Sequence, residues 1–378
     1  MKVLILSCNT GGGHNSAGRA IAEAMLEQGD EAYVLDYLAL AGEGVSRLVG
    51  DGYVQIVKRT PRLFGIVYKL GMGVSRITRK SPVYYVNGRM AKYLRQYIKE
   101  NPVDVVVMPH LYPAETITYM KRKGMELPLT VAVMTDYTCI PFWEETECDY
   151  YITPHESLIR SCVRRGVPEE KLVPLGIPVS RICRKNISKE TAREKLGLDQ
   201  DKKYILAAGG SMGAGDMKKL AECILDATKK EELIVVCGNN QKTMSRLKKA
   251  FGNEKRIKIL GYTTQMTLYM KACDVLFTKP GGLTSTEGAV AGIPMVHTAP
   301  IPGCETANRK FFRKAGMSIS ARTIKGQVEA GIRLLYDNES AEKMRERQRK
   351  YINADAAEDI CGFIHEKTEE KEVAGKWI

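Results

Sequence analysis

Two glycine-rich turns hold the residue patterns most suited to chemistry. The first is SCNTGGGHNSAGRAI, residues 7–21, where three glycines follow an apolar run and His14 stands where a helix should begin. The second is TKPGGLTSTEGAVAGIPMV, residues 278–296, where an apolar run enters Pro280-Gly281-Gly282 and a helix begins near Thr284, to be stopped by Gly292 and Pro294. Free N–H groups at a helix N-terminus, with the positive end of the helix dipole, suit a diphosphate. Glu287 has two readings in that setting. Thr284-x-x-Glu287 satisfies a capping box, and a carboxylate there can also take the two hydroxyls of a nucleotide ribose. Spacing alone favours the cap.

The first turn fits phosphate less well. A dinucleotide fingerprint, G-x-G-x-x-G, finds Gly11 and Gly13 but meets Ser16 at its third position, although Asp36 stands about where a ribose-binding acid would. A Walker loop finds Gly13 and Gly18, but Arg19-Ala20 replaces the lysine and hydroxyl. Glycines that merely permit a tight strand-to-helix turn are the plainest account. None of these readings explains His14.

The elements around the turns follow from periodicity. MKVLILSC reads as a buried strand, a helix is expected over about 16–28 with Gly29 closing it, and EAYVLD is a second strand. Strand, glycine turn, helix and strand make a βαβ unit that opens a doubly wound α/β domain. Further strands fit at 104–109, 129–136 and 149–154, with a helix over 82–100. The plan then restarts: KKYILAAGGSMGAGD is again a strand, a glycine turn and a helix. ELIVVCGNN, RIKILGYT, DVLFTKPGG and GIPMVHTA add strands. Two similar α/β domains are expected, 1–180 and 181–340, with a helical tail over 341–378.

Composition narrows the class. The 378 residues are 44% hydrophobic and 27% charged, with strand-sized apolar runs too short to span a bilayer and a start too short for a signal peptide. Ten cysteines occur singly, which favours reduced thiols in the cytosol over a disulfide framework or a zinc site. The net charge is +13, and between Gly52 and Lys99 there are eleven basic residues and no acid, so one segment carries nearly all of the imbalance.

GGGH in the first half, GGSMGAG in the second, and PGGLTSTEGAVAGIPMV followed by PGCETANRKFF together resemble the lipid-directed UDP-sugar glycosyltransferases. Within them the chain is most similar to monogalactosyldiacylglycerol synthase and the bacterial diacylglycerol glucosyltransferases. The enzyme that adds N-acetylglucosamine to lipid-linked muropeptide is a more distant likeness. The resemblance runs over nearly the whole chain, through TDY (135–137), Trp143, GIPV (176–179), CGNNQK (237–242) and GYT (261–263).

That resemblance implies a GT-B architecture: two Rossmann-like domains facing a cleft, with a C-terminal helix crossing back to the first. It implies a UDP-sugar on the second domain, with Gly209, Gly210, Ser211 and Gly213 and then Gly281, Gly282, Leu283 and Thr284 near the diphosphate. Glu287 would hold the ribose, Glu305 and Asn308 would reach the sugar, and Tyr262 would lie on the donor side. It implies an acceptor site on the first domain, where Gly12 and Gly13 bring the backbone close and His14 faces the acceptor hydroxyl. A histidine of ordinary pKa, about 6.5, is largely neutral at pH 7 and can take that proton. Capping or packing at the helix start is its bland alternative. Asp136 is the alternative base or the acid that orients His14, and a turn or capping role is nearly as well supported. The expected reaction is a single in-line displacement with inversion. No DxD-like carboxylate pair suggests a metal, so no metal or other cofactor is expected, and main-chain N–H groups should stabilise the leaving UDP. Two departures from the family pattern stand out. Cys304 replaces the usual Gln before Glu305, and Ile140 stands about where relatives often have His.

The basic segment fits the same expectation. RTPRLFGIVYKLGMGVSRITRKSPVYY interleaves Arg62, Lys69, Arg76, Arg79 and Lys80 with apolar residues including Phe64 and Tyr68. An anionic bilayer selects that mixture, whereas no nucleic-acid module is recognised. A solvated basic face is the bland alternative. The reading is therefore a peripheral enzyme at the cytoplasmic face of the cell membrane, moving galactose or glucose from a UDP-sugar to diacylglycerol and attracted by anionic lipids. The competing readings are a UDP-N-acetylglucosamine transferase acting on a polyprenyl-linked cell-wall precursor and a non-catalytic membrane-associated UDP-sugar sensor. An NAD oxidoreductase comes third.

Overall fold

The computed structural model describes residues 1–8, 12–42, 44, 80–210, 216–301 and 303–375. The chain forms two compact units, Met1–Arg181 with Asp355–Ile378, and Ile182–Ala354.

In the first unit six strands form one parallel sheet: β1 (Lys2–Ser7), β2 (Glu31–Asp36), β3 (Val105–Met108), β4 (Leu129–Val133), β5 (Tyr150–Ile152) and β6 (Leu172–Val173). Their order is β2-β1-β3-β4-β5-β6. The helices of this part are α1 (Gly12–Glu27), α2 (Pro82–Gly88), α3 (Ala91–Glu100), α4 (Leu111–Arg122) and α5 (Ile159–Val163). Val3 to Leu6 and Val105 to Met108 are fully buried. Strands covered on both faces read as continuous apolar runs rather than alternating ones. That is why these strands are plain in the sequence.

Helix α1 begins four residues before the expected start. Its first two residues are glycines, which give no propensity signal for a helix. His14 is thereby a first-turn residue. The close helix-to-strand approach assigned to the third glycine of a dinucleotide fingerprint occurs at Gly18, where a Cβ would lie 3.1 Å from Ile5 Cγ2. Ser16, at the fingerprint position, donates its hydroxyl to the Gly12 carbonyl at 3.0 Å. The single helix expected over 82–100 is two, α2 and α3, and a Cβ at Gly88 would come 2.6 Å from the Tyr119 ring of α4.

The second unit repeats the plan with β7 (Tyr204–Ala208), β8 (Glu232–Val236), β9 (Ile257–Leu260), β10 (Val275–Thr278), β11 (Met295–His297) and β12 (Ile319–Ser320). All pairs are parallel, in the order β12-β11-β10-β7-β8-β9. Helices α6 (Arg181–Arg184), α7 (Lys189–Leu196), α8 (Met217–Ala227), α9 (Gln241–Phe251), α10 (Met266–Ala272), α11 (Gly282–Ala291), α12 (Cys304–Lys314), α13 (Ile324–Tyr336) and α14 (Asn338–Tyr351) complete this region. The chain from 341 onward divides between the units. Helix α14 stays with the second, where buried Gln348 donates to the carbonyls of Ile293 and Met317. Helix α15 (Ala356–Gly375) returns to the first and buries Ile360, Cys361 and Ile364 with Ile21 and Met25 of α1. Asp30 fixes that return, bonding His365 at 2.7 Å and the terminal ammonium at 2.8 Å.

Candidate active site

In the first sheet the chain leaves β1 for β2 on one side and returns to β3 on the other. The carboxyl ends of β1 and β3 therefore flank a topological switch point, where doubly wound sheets bind ligands. Three segments meet at His14: the first turn of α1, the turn between β3 and α4, and the segment leaving β4. His14 Nδ1 lies 2.8 Å from the Pro109 carbonyl oxygen and 3.1 Å from Thr135 Oγ1. A carbonyl only accepts, so Nδ1 carries the proton and Nε2 of the neutral ring keeps its lone pair. Burial holds the pKa of His14 below the usual imidazole value, while the charge of Asp136 and the Pro109 bond oppose that shift. The ring is thus an uncharged base at neutral pH. Gly12 and Gly13 are the helix residues that precede it.

His110 packs edge-on against His14, with ring centroids 4.5 Å apart and planes at 74°. It caps α4, its Nδ1 accepting the Tyr112 N–H at 3.1 Å. Burial, and then the neighbouring His14, hold its pKa well below the usual value.

The second sheet has the same switch. The chain leaves β7 for β8 and β9, then returns to β10 on the other side. Gly209 and Gly210 follow β7, and Lys279 to Gly282 follow β10. Gly210 favours glycine because its φ is +71°, and a Cβ there would also lie 2.8 Å from Lys279 Cε, displacing that side chain. Helix α11 starts at Gly282 with Gly281 as its N-cap and no side-chain capping bond. A Cβ at Gly281 would meet none of the described residues within 4 Å, which leaves that side of the backbone to an approaching group. Leu283 is buried and Thr284 half-buried in the first turn.

This start removes the capping box. Thr284 lies inside the helix, not at its N-cap, and Glu287 is the sixth helical residue. Among the described residues the half-buried Glu287 carboxyl has no hydrogen bond or ion pair, and burial raises its pKa to about 7. Glu305 is 6% exposed, with Oε1 2.6 Å from Lys279 Nζ and Oε2 accepting the Ile301 N–H at 2.7 Å. Asn308 is fully buried and donates its amide to the Pro280 carbonyl at 3.1 Å, bracing the Pro-Gly-Gly turn. Behind α11, His297 bonds Ser285 and Ser318 at 3.0 Å each, and burial lowers its pKa to about 3. Tyr262 follows β9 and is 63% exposed.

Ser211 and Gly213 lie outside the described residues, as do Arg62, Phe64, Tyr68, Lys69, Arg76 and Arg79. Lys80 is described and exposed. Sequence reasoning missed His110, Thr135 and Lys279. The signal for Lys279 was its place before Pro-Gly-Gly, and for His110 its place at the end of a buried strand, both at the carboxyl edge of a sheet. Among the described residues no group of three or more His, Cys, Asp or Glu side chains is placed to hold a metal.

A family model described as monogalactosyldiacylglycerol (MGDG) synthase matches residues 14–179, and one described as glycosyl transferases group 1 matches residues 188–351. A processive diacylglycerol beta-glucosyltransferase of Bacillus pumilus (strain SAFR-032) is 27% identical over 375 residues, covering 97% of this chain and 95% of that protein. The protein of the same name from Staphylococcus carnosus (strain TM300) is 27% identical over 298 residues, 78% of this chain and 75% of that protein. The chain thus carries a monogalactosyldiacylglycerol synthase domain followed by a group 1 glycosyl transferase domain, and relatives similar over nearly its whole length are diacylglycerol glucosyltransferases. With those domains it is a UDP-sugar-dependent glycosyltransferase. The fold is shared with the crystal structure of Acinetobacter baumannii MurG, at a TM-score of 0.65, 18% identity and 97% and 99% coverage of the two chains. It is shared too with the S. aureus MnaA-UDP co-structure, at 0.63, 16% identity and 98% and 97% coverage. This is the GT-B fold. Of the two departures from the family pattern, Ile140 is half-buried against the core of the first unit, beside a fully packed Trp143. Cys304 opens α12, next to the Glu305 that Lys279 holds.

Proposed function

We propose that this glycosyltransferase moves a hexose from a UDP-sugar to diacylglycerol at a membrane surface, inverting the anomeric centre. The names of the relatives that cover the chain favour glucose as the sugar and repeated addition as the mode. The observation that carries the reading is the state of His14. It is neutral, it is pinned through Nδ1 by a backbone carbonyl, and its Nε2 is unprotonated at the switch point of the unit that matches the synthase model.

In this reading the glycerol hydroxyl attacks the anomeric carbon as Nε2 of His14 takes its proton, and UDP departs from the opposite face. Asp136 stabilises the imidazolium that forms, because its charge already favours that form. The donor lies on the second unit. The ionised Glu287 accepts the two ribose hydroxyls, and the N–H groups of the first turn of α11, from Gly282 onward, face the diphosphate, while the Gly281 N–H is taken by the Lys279 carbonyl at 2.8 Å. Lys279 adds a cation between that turn and Gly210. Glu305 acts through Lys279, and Asn308 holds the turn in shape. Gly209, Gly210, Ser211 and Gly213 line the diphosphate from the β7 side, and Tyr262 flanks the donor.

No helix among the described residues is long and apolar enough to cross a membrane. Attachment is proposed through the basic segment. In its described part Lys80, Arg89, Lys92, Arg95 and Lys99 are exposed beside Tyr85 and Val86, which are 58% and 63% exposed. Cations next to exposed apolar side chains suit an anionic leaflet, and Arg62, Phe64, Tyr68, Lys69, Arg76 and Arg79 extend the same composition. The cytoplasmic face is the proposed site, since UDP-sugars and reduced thiols belong there. The test is incubation with a panel of radiolabelled UDP-sugars and vesicles containing both diacylglycerol and a polyprenyl-linked cell-wall precursor, followed by lipid extraction. A labelled glycosyl-diacylglycerol supports the reading. Label that enters only a polyprenyl-linked acceptor, or no lipid at all, overturns it.

A further inference from the structure

The turn between β3 and α4 touches the base twice, and the reaction as described uses neither contact fully. The Pro109 carbonyl holds His14 Nδ1 at 2.8 Å, and the next residue, His110, lays its ring edge-on against the same imidazole. His110 is itself immobilised. It is 8% exposed, its Nδ1 accepts the Tyr112 N–H at 3.1 Å, and its other side meets the Tyr112 ring at a centroid distance of 4.6 Å. A ring fixed by a helix cap is a rigid wall. It is an economical device, because two consecutive residues set both the tautomer and the plane of the base.

We propose that His110 is a positioning residue for His14, its capped ring clamping the base in the orientation that Pro109 selects and shielding it from water. The proposal rests on the reading of His14 as the base. It gives His110 two separable tasks, capping α4 through Nδ1 and walling off His14 through the ring.

The electrostatics fit this arrangement. Two imidazoles in contact do not both charge near neutral pH. Burial and His14 together keep His110 neutral, so the proton that arrives from the acceptor stays on His14. The other groups at the pair are Thr135 and Asp136 from the segment after β4 and Tyr112 from α4; Cys8, just past β1, acts on Tyr112, and Asp36 acts on Cys8. Burial raises the pKa of Cys8 and of Tyr112, so both are uncharged at working pH. Among the described residues Asp136 is the anion whose charge bears on His14.

Two variants separate the tasks. His110→Asn can keep the cap, since Asn is a good N-cap residue, but removes the ring. His110→Phe keeps a ring of similar shape but loses the cap. In each the His14 pKa and tautomer are read by NMR of ring-labelled histidine, the thermal midpoint is measured, and kcat and KM for UDP-glucose are followed against pH with vesicle-borne diacylglycerol. In His110→Asn the His14 pKa should rise towards the ordinary value and the acid limb of kcat should move up with it. Its kcat at pH 7 should fall by about tenfold with KM unchanged, and its thermal midpoint should hold. In His110→Phe the acid limb should stay in place while the thermal midpoint drops. An unmoved His14 pKa in His110→Asn overturns the proposal, as does an equal shift in both variants. The NMR reading is independent of turnover, so it stands apart from the test of the base itself. If His14→Ala keeps full activity, the catalytic reading fails whatever the pKa of His14 does.

Discussion

At the first switch point the helix after the leading strand opens with Gly12, Gly13 and His14, and the imidazole is bonded across to Pro109 and Thr135. At the second, the helix after β10 opens at Gly282 behind the N-cap Gly281, and among the described residues no side chain caps it and nothing fills the space beside Gly281. The scaffolds match: parallel six-stranded sheets with a ligand crevice where the chain reverses its direction of travel across the sheet. What differs is whether the turn presents a side chain or bare backbone. This accounts for the broken phosphate fingerprint in the first half, because a turn that presents a ring no longer needs to cradle phosphate. Burial acts on the reactive groups with opposite sign. It lowers the pKa of the imidazole and raises that of Glu287, because in both cases the charged form is penalised. Each site therefore holds a group whose charged form burial disfavours: His14 is neutral at pH 7, and Glu287 is poised between its two forms there, so that a ribose favours the ionised one.

The largest effect should come from the first site. His14→Ala should lower kcat by roughly 10²-fold or more while UDP affinity, measured by calorimetry, stays as in the parent. Equal losses in both would erase the division of labour between the units. The acid limb of kcat sharpens the point. Since the pKa of His14 is held below the ordinary value, activity should fall with a midpoint below about 6.5, and Asp136→Asn should move that midpoint lower still, because Asp136 favours the charged ring.

Glu287→Gln probes the second site with a smaller effect. Losing one charge-assisted hydrogen-bond acceptor for the ribose costs about 1.5 kcal/mol, or roughly tenfold in UDP affinity. Stability should move the other way. The folded pKa of about 7 lies above the unfolded value of 4.5, so the folded state holds its proton more tightly. Stability is then lost as pH rises from the lower value through the higher one, and the loss is complete above pH 7. Gln cannot ionise, so the variant should melt at a higher temperature than the parent at pH 8 and at the same temperature near pH 4. A capping glutamate would give the reverse at neutral pH, which is how thermal scans at the two pH values discriminate the roles.

Much of this was legible in the sequence, and the parts that were not have definite causes. Both sheets announced themselves through continuous apolar runs such as KVLILS and YILAA, because strands buried on both faces cannot alternate. Both turns stood out because glycines cluster there. The starts of α1 and α11 did not, since Gly12, Gly13 and Gly282 are helical only by context, and this misplaced first-turn His14 and made Glu287 look like a cap. The partners of the site were hidden for a different reason. Pro109 and His110 lie 95 and 96 positions from His14, and Lys279 lies 26 from Glu305, so only the return of β3 beside β1 and the packing of α12 bring them together. The strong resemblance of the motifs named the reaction. It named neither the carbonyl that sets the tautomer nor the cation that occupies Glu305.

The smallest predicted effect sharpens the contrast between the units as surfaces. If the first unit seats the protein on the membrane, its exposed cations should matter for attachment and those of the second should not. One cation near an anionic surface contributes about 1 kcal/mol, so Lys92→Gln should weaken binding to vesicles rich in anionic lipid by roughly fivefold. Lys249→Gln, a change at an exposed lysine on α9 of the second unit, should leave binding unaltered. Raising the salt concentration should bring the parent down to the level of the Lys92 variant, since exposed charges are screened over about 10 Å at 0.1 M. Tyr85→Ser should weaken binding to anionic and neutral vesicles alike, because its contribution is apolar and insensitive to salt. Co-sedimentation across a salt series measures all three. If Lys249→Gln weakens attachment as much as Lys92→Gln does, the membrane is responding to overall charge and not to one face, and the division between a lipid-facing unit and a nucleotide-holding unit loses its surface half.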